Sequence, residues 1–200
     1  FGRVGEWFGC QHYGTEPDLM ATAKGITSGY LPMGAVFVGD KIAHYLKETG
    51  GDFNHGYTYS GHPTCAAAAL ANLAIFEREK LVDRVRDDIG PYMAAKWKTL
   101  ADHELVGEAR FRGLVGALEL VPDKRSRDKK LFGDVGSVGT LTRDISFKNN
   151  LVMRAVRDTM IISPPLVISH EEVDELVARA RKTLDMAYVE LKKQGKVRVA

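Results

Sequence analysis

Residues 17–40 read PDLMATAKGITSGYLPMGAVFVGD and place Lys24 at the end of a short apolar segment, with glycines following at 25, 29 and 34. Lysine is mostly exposed and rarely ends a buried segment without a partner or a purpose. A lysine amine held in a dry, phosphate-binding pocket can become a nucleophile toward a carbonyl. The alternative is a surface lysine whose stem lies over apolar neighbours. Local sequence leaves both interpretations open.

The first half of the chain alternates predicted strands and helices, which is typical of an α/β domain. Its glycine-rich start, 1–16, and its polar stretch, 49–60, are predicted as loops. Between them we expect two short strands over 17–23 and 35–39 and a short helix over 40–48. Helical spacing then continues from Pro63 to about Leu100, and Gly90-Pro91 is expected to break this helix and start another over 91–101.

The second half has the pattern of a small α+β domain, with short strands and two covering helices. Two strand-like runs within 105–121 flank Arg112-Gly113, and the last helix is predicted over 170–194 with Ser169 as its N-cap. The other predictions are a charged loop at 122–130, a flexible glycine loop at 133–139, a helix at 138–149 and short strands at 151–154 and 160–163. We therefore divide the chain into 1–103 and 104–200.

Composition sets limits on the class of protein. A hydrophobic content of 44%, a charged content of 27% and a net charge of +2 are ordinary for a globular protein and predict no nucleic-acid affinity. The sequence has no apolar run of about 18 residues, so we expect no membrane span. Cys10 and Cys65 make no disulfide framework, and with no signal peptide in sight we expect a cytoplasmic protein.

The block HGYTYSGHP, residues 55–63, places several hydroxyl side chains before a predicted helix. Free N–H groups at a helix N-terminus beside a hydroxyl make a good anion site, although the ordinary interpretation is a loop with an N-cap. His55 and His62 lack a carboxylate or cysteine that would complete a metal site, so we predict no metal.

Arg154 follows the apolar pair Val152-Met153 in a short strand-like run. An arginine in that place can hold a substrate carboxylate through two parallel hydrogen bonds. The ordinary interpretation is a surface salt bridge, and local sequence does not decide between them.

Four separated blocks resemble one family in the same order. They are FGRVGEWFG at 1–9, AKGITSGYLPMGAVFVGDKI at 23–42, FNHGYTYSGHPTCAAAALANLAIFE at 53–77 and LVMRAVRDTMIISPPLVIS at 151–169. They resemble the class III aminotransferases, which are fold-type I enzymes dependent on pyridoxal 5'-phosphate. The omega-amino-acid:pyruvate branch is the most similar.

The resemblance implies the C-terminal part of a large α/β domain followed by a small C-terminal α+β domain. It implies that Lys24 carries pyridoxal phosphate and moves the proton during transamination. Thr58, with Tyr57 nearby, would bind the cofactor phosphate of the other subunit in a homodimer. Arg154 would bind the alpha-carboxylate of the substrate. The reaction would move an amino group from an amine or omega-amino acid to a keto acid such as pyruvate.

The start of the chain departs from the whole family pattern. Phe1-Gly2-Arg3 matches the interior of the family's large domain. The family's aspartate at the pyridine nitrogen, its phosphate loop and its ring-stacking aromatic residue would therefore lie upstream. An aminomutase or a decarboxylase of the same fold remains an alternative. A non-catalytic fragment is a further alternative, and we expect the 200 residues alone to be inactive.

Overall fold

The computed structural model describes residues 1–50 and 53–198 of the 200-residue chain. Its contacts divide the chain into two compact units. The first contains Phe1–Gly2 and Glu6–Asp83, and the second contains Arg3–Gly5 and the chain from Arg84 onward. This division comes earlier in the chain than the domain boundary predicted between 103 and 104, and that boundary stays a prediction.

The first unit contains a two-stranded antiparallel sheet. Strand β1, Leu19–Ala23, pairs with β2, Gly34–Val38, so that Leu19 lies opposite Val38 and Ala23 opposite Gly34. Both strands lie where apolar residues flank the Gly/Pro-containing turn, as predicted from the sequence. Their connection begins with a 3₁₀ turn over Lys24–Thr27, and this geometry places Lys24 at the end of β1.

Three helices complete most of the first unit: α1, Gly9–His12; α2, Asp40–Glu48; and α3, Pro63–Arg78. Helix α2 confirms the predicted helix. The short α1 lies inside the stretch predicted as loop, where the Gln11 side chain accepts a hydrogen bond from the Phe8 N–H at 2.9 Å. The loop prediction is therefore wrong over that single turn.

The long helical stretch is interrupted earlier than predicted. Helix α3 ends at Arg78, and Lys80 takes a left-handed φ of 48° before α4, Leu81–Arg84. A π-helical turn, 85–89, then leads directly into α5, Gly90–Lys98. A Cβ on Gly90 would lie 2.1 Å from the Val85 carbonyl oxygen, so glycine permits this wider turn. As predicted, a new helix begins at Gly90-Pro91, with Pro91 in the first turn of α5, where no N–H is needed. The predicted break before it is wrong, because the π-helical turn joins α5 without a gap.

The second unit is built on a four-stranded antiparallel sheet of order β3-β4-β6-β5. Its strands are β3, Val106–Arg112; β4, Val115–Leu120; β5, Arg154–Val156; and β6, Thr159–Ile162. The predicted pair of strands around Arg112-Gly113 is confirmed. The strand predicted over 151–154 instead begins at Arg154.

Two helices, α6, Ser137–Lys148, and α7, His170–Lys193, complete the second unit. Ser169 and Glu172 form a capping box at the start of α7, which confirms the predicted N-cap. The core joins these helices to α5 and the sheet through fully buried side chains such as Trp97, Leu118, Met160 and Leu184.

Asp158 anchors the glycine-rich segment before α6. Its buried carboxylate accepts hydrogen bonds from the N–H groups of Gly136 and Gly139, each at 3.0 Å. A Cβ on Gly139 would lie 1.9 Å from the Arg157 carbonyl oxygen, so the close approach requires glycine. The prediction of a flexible loop over 133–139 is wrong for its last three residues, which begin α6.

Candidate functional site

Lys24 lies where β1 gives way to the 3₁₀ turn, and its backbone takes a left-handed φ of 51°. Its side chain is exposed. Within the described residues, 1–50 and 53–198, no hydrogen bond or ion pair holds its amine. The amine is therefore available to a ligand, and its direction depends on the backbone turn that carries it.

The turn after Lys24 is closed by local bonds and buried contacts. Ser28 also has a left-handed φ, 49°, and Gly29 donates its N–H to the Lys24 carbonyl at 3.0 Å. The buried Thr27 donates its hydroxyl to the Leu31 carbonyl at 2.6 Å. Non-glycine residues in left-handed backbone cost about 1–3 kcal/mol each and persist only where surrounding structure holds them.

Tyr57 and Thr58 lie in an exposed turn before α3. Ser60 holds this turn, because the Tyr57 N–H donates to the Ser60 hydroxyl at 3.0 Å and the Ser60 N–H donates to the Tyr57 carbonyl at 2.9 Å. His62, the N-cap of α3, makes no side-chain capping bond. Hydroxyl groups beside an uncapped helix N-terminus suit a phosphate. No described hydrogen bond joins Tyr57 or Thr58 to Lys24.

Arg154 is the first residue of β5, one of the two edge strands of the second unit's sheet, and it lies opposite Ile161. Its side chain is exposed. The described residues offer it no carboxylate partner, so the surface salt bridge expected from an ordinary arginine is not found among them. Arg112 and Arg157 share that unpaired state, so exposure alone does not single out Arg154.

Two other arginines of the second unit hold the connection that follows β6. Arg3 donates to the carbonyls of Leu114 and Pro164, and its burial lowers its pKa. Arg84 donates to the carbonyls of Leu166 and Ile168, each at 2.6 Å. These guanidinium groups bind backbone and are structural.

The charged run 122–130 is bound to its own unit. Lys124 donates to the carbonyls of Ala101 and Asp102, each at 2.9 Å. Lys129 pairs with Glu119 at 2.9 Å and lowers the pKa of that carboxyl. These two lysine side chains therefore already have partners within the protein.

None of the described helices is both long and apolar enough to cross a membrane.

Sequence reasoning missed Asn72, a polar residue inside the apolar run Leu70-Ala71-Asn72-Leu73 of α3. Its side chain binds the turn that follows Lys24. The signal available in the sequence was an amide among small and apolar residues of a helix, which needs a hydrogen-bonding partner when it is buried.

Comparisons of the sequence and of the structure with known proteins agree with one another. The family described as aminotransferase class-III matches residues 1–184. Putrescine–pyruvate aminotransferase of Pseudomonas aeruginosa is 57% identical over 185 residues, covering 92% of this chain. Diaminobutyrate–2-oxoglutarate transaminase of Halomonas elongata is 39% identical over 206 residues, covering all of it. A solved transaminase from the marine bacterium Virgibacillus superposes with a TM-score of 0.88 at 35% identity over 96% of the chain and 44% of its own length.

The likeness covers only part of each relative. The chain spans 40% of the Pseudomonas protein and 43% of the Halomonas protein.

Proposed function

Because the chain belongs to the class III aminotransferases, we propose that the whole protein is a transaminase dependent on pyridoxal 5'-phosphate. It would move an amino group from an amine or omega-amino acid to a keto acid such as pyruvate. The likenesses confirm the fold-type I α/β fold predicted from the sequence. The observation that carries the proposed role is the exposed Lys24 amine, which ends β1 on a left-handed turn and binds no described residue.

The donor groups of the first unit fit this cofactor. Lys24 would hold the aldehyde carbon covalently, and the Thr58 hydroxyl, with the Tyr57 N–H or ring nearby, would bind the phosphate of the partner subunit's cofactor. When bound, pyridoxal phosphate supplies the electron sink that stabilises charge on the substrate carbon. The chain's own contribution is then position and proton transfer.

Lys24 would act as the general base once its amine is released by the incoming amino donor. Its Nζ would take the proton from the substrate carbon that bears the amino group and return it on the cofactor side. The left-handed turn would set the direction in which the Lys24 side chain leaves the backbone. No contact with a described residue sets the position of its amine. Water would supply the oxygen of the carbonyl product that leaves, and the keto acid would take up the amino group by the same steps in reverse, with release of that water.

Arg154 would hold the carboxylate of the keto acid. A guanidinium on an exposed edge strand, without a competing carboxylate among the described residues, can take a planar carboxylate through two parallel hydrogen bonds. A substrate without a carboxylate would make no use of this contact.

A diamine such as putrescine is the donor that we propose to test first, with pyruvate as acceptor. The 57% identity to a putrescine–pyruvate aminotransferase supports that choice. We further propose that the protein is a cytoplasmic homodimer with shared active sites. We also propose that residues 1–200 alone do not catalyse transamination. An aminomutase or decarboxylase of the same fold is less well supported, because the relatives compared above are transaminases.

A screen of amino donors and keto acceptors on the intact protein tests the proposal. We expect formation of alanine from pyruvate with a diamine or an omega-amino acid as donor. Carbon dioxide release without amino transfer would instead establish a decarboxylase, and isomerisation of a single amino acid would establish an aminomutase.

A further inference from the structure

Asn72 makes three hydrogen bonds to the turn that carries Lys24. Its Nδ2 donates to the carbonyls of Gly25 and Ile26, at 2.9 and 3.1 Å. Its Oδ1 accepts from the Ser28 hydroxyl at 2.7 Å. Both amide N–H groups are used, so the orientation of the side chain is fixed by its partners.

These bonds add to those that the turn makes within itself, from the Gly29 N–H to the Lys24 carbonyl and from the Thr27 hydroxyl to the Leu31 carbonyl. Lys24 and Ser28 both take left-handed φ values, and the Ser28 N–H lies 3.3 Å from the Gly25 carbonyl, a long hydrogen bond. Such backbone needs support from outside the turn. Asn72 lies 44 residues after Ser28, on the regular backbone of α3, and supplies that support.

We propose that Asn72 is a positioning residue that sets the direction of the Lys24 amine, and this inference rests on the proposed function. The Lys24 side chain is long and makes no bond to a described residue, so the direction of its Cα–Cβ bond decides where the amine starts. Asn72 binds the carbonyls of the two residues that follow Lys24, Gly25 and Ile26, and so holds the backbone that carries that bond. In a proton transfer, a misplacement of about 1 Å can cost about a hundredfold in rate.

The test replaces Asn72 by leucine in the intact enzyme and uses Glu77→Leu as the matched control. Glu77 is exposed on the same helix, and the same residue is introduced. In the cofactor-free enzyme, we expect amide hydrogen exchange over residues 24–30 to rise in Asn72→Leu and to stay unchanged in Glu77→Leu. In the loaded enzyme, kcat should fall about tenfold or more, while the KM values and the bound cofactor per subunit stay within about twofold.

Ser28→Ala provides a second and milder variant, because it removes only the bond to Asn72 Oδ1. Ser28→Ala should raise amide hydrogen exchange over residues 24–30 and should lower kcat less than Asn72→Leu does. An unchanged kcat in Asn72→Leu would overturn the inference, as would a fall in kcat matched by an equal loss of cofactor or of folded protein. If Asn72→Leu does not fold, unchanged exchange and kcat in Ser28→Ala overturn it.

A separate experiment distinguishes failure of the proposed function from failure of the positioning role. Borohydride reduction of the wild-type holoenzyme, followed by peptide mapping, shows which lysine holds the cofactor. If the reduced cofactor is found on another lysine, the proposed role of Lys24 itself is wrong. A label on Lys24 together with an unchanged kcat in Asn72→Leu defeats only the positioning role.

Discussion

At the scale of the residue, Lys24 combines left-handed backbone with an amine that no residue among 1–50 and 53–198 binds. A lysine gains nothing in stability from left-handed backbone, because its Cβ crowds the following carbonyl there. Strain of this kind persists where the surrounding structure over-determines it, as the bonds from Asn72 and the buried Thr27 do here. The outlier therefore supports a role for Lys24 in chemistry.

Replacing Arg154 by alanine should separate the two substrates. We expect the KM for the keto acid to rise about tenfold or more, because a contact between two charged groups is lost. The KM for an amine donor that lacks a carboxylate should stay within about twofold. Steady-state kinetics with pyruvate and a diamine provide the measurement.

Arg157→Ala is the matched control, since Arg157 is also exposed and lies on the turn after β5. It should leave both KM values unchanged. An equal loss for amine and keto acid in Arg154→Ala would indicate a structural arginine and would reject the recognition role.

The site residues differ in how clearly the sequence indicates them. Lys24, Thr58 and Arg154 are predicted from their neighbours in the sequence together with the family motifs that contain them, and their roles stay predictions. Asn72 could not be proposed, because its partners lie 44 to 47 residues away and only the folded chain brings them together.

At the scale of the element, periodicity located β1 to β4 and α7 well. Helix α7 was the clearest, because its apolar face repeats over 24 residues and Ser169 with Glu172 closes its N-terminus. Helix interruptions were harder. Gly90-Pro91 looks like a break, yet the π turn before it accommodates both residues. Lys80 marks the true interruption with a left-handed backbone that its residue type does not favour.

His103 follows the 3₁₀ turn Thr99–Asp102 after α5, contacts Asp185 of α7 and should make stability depend on pH. Its Nδ1 accepts the Leu105 N–H at 3.0 Å, and its Nε2 lies 3.3 Å from the Asp185 carboxylate. Burial lowers the pKa of this imidazole, and the positive charges of Arg181 and Lys124 lower it further, against the opposing effect of Asp185. Both contacts suit a neutral ring that donates from Nε2, because a proton on Nδ1 would displace the Leu105 N–H.

The sign of the pH effect follows from the lowered folded-state pKa. Above the ordinary histidine pKa of about 6.5, both states are neutral and the stability is complete. As the pH falls below that value, the unfolded chain takes up the proton first and stability is lost until the folded-state pKa is reached. Each unit of difference between the two pKa values is worth about 1.4 kcal/mol.

His103→Asn should flatten this dependence, because an asparagine oxygen can accept an N–H two residues later but does not titrate. Urea unfolding of the intact protein and of the variant between pH 7.5 and 5, followed by far-UV circular dichroism, measures it. An equal slope in both proteins would show that His103 does not control the pH response.

At the scale of the whole molecule, the proposed sharing of active sites is testable through Thr58. Thr58→Ala should weaken cofactor binding about tenfold or more, because a hydrogen bond to a charged phosphate contributes about 1.5–3 kcal/mol. Thr58→Ser keeps the hydroxyl and should retain most of the affinity. Titration of the cofactor-free enzyme by absorbance provides the dissociation constants.

A hybrid dimer then identifies the subunit that Thr58 serves. One subunit carries Lys24→Ala and the other carries Thr58→Ala. If Thr58 binds the partner's cofactor, the site that keeps Lys24 also receives an intact Thr58 and binds the cofactor with wild-type affinity. Weakened binding at that site would assign Thr58 to its own subunit.

The central claim is that Lys24 holds the cofactor of a transaminase, and borohydride reduction of the intact holoenzyme tests it most directly. Reduction fixes the cofactor to its lysine, and peptide mapping then locates it. We expect one pyridoxyl group per subunit on Lys24, and we expect Lys24→Ala to fold, carry no such group and lose transamination. A pyridoxyl group on a different lysine, or full activity in Lys24→Ala, would contradict the account.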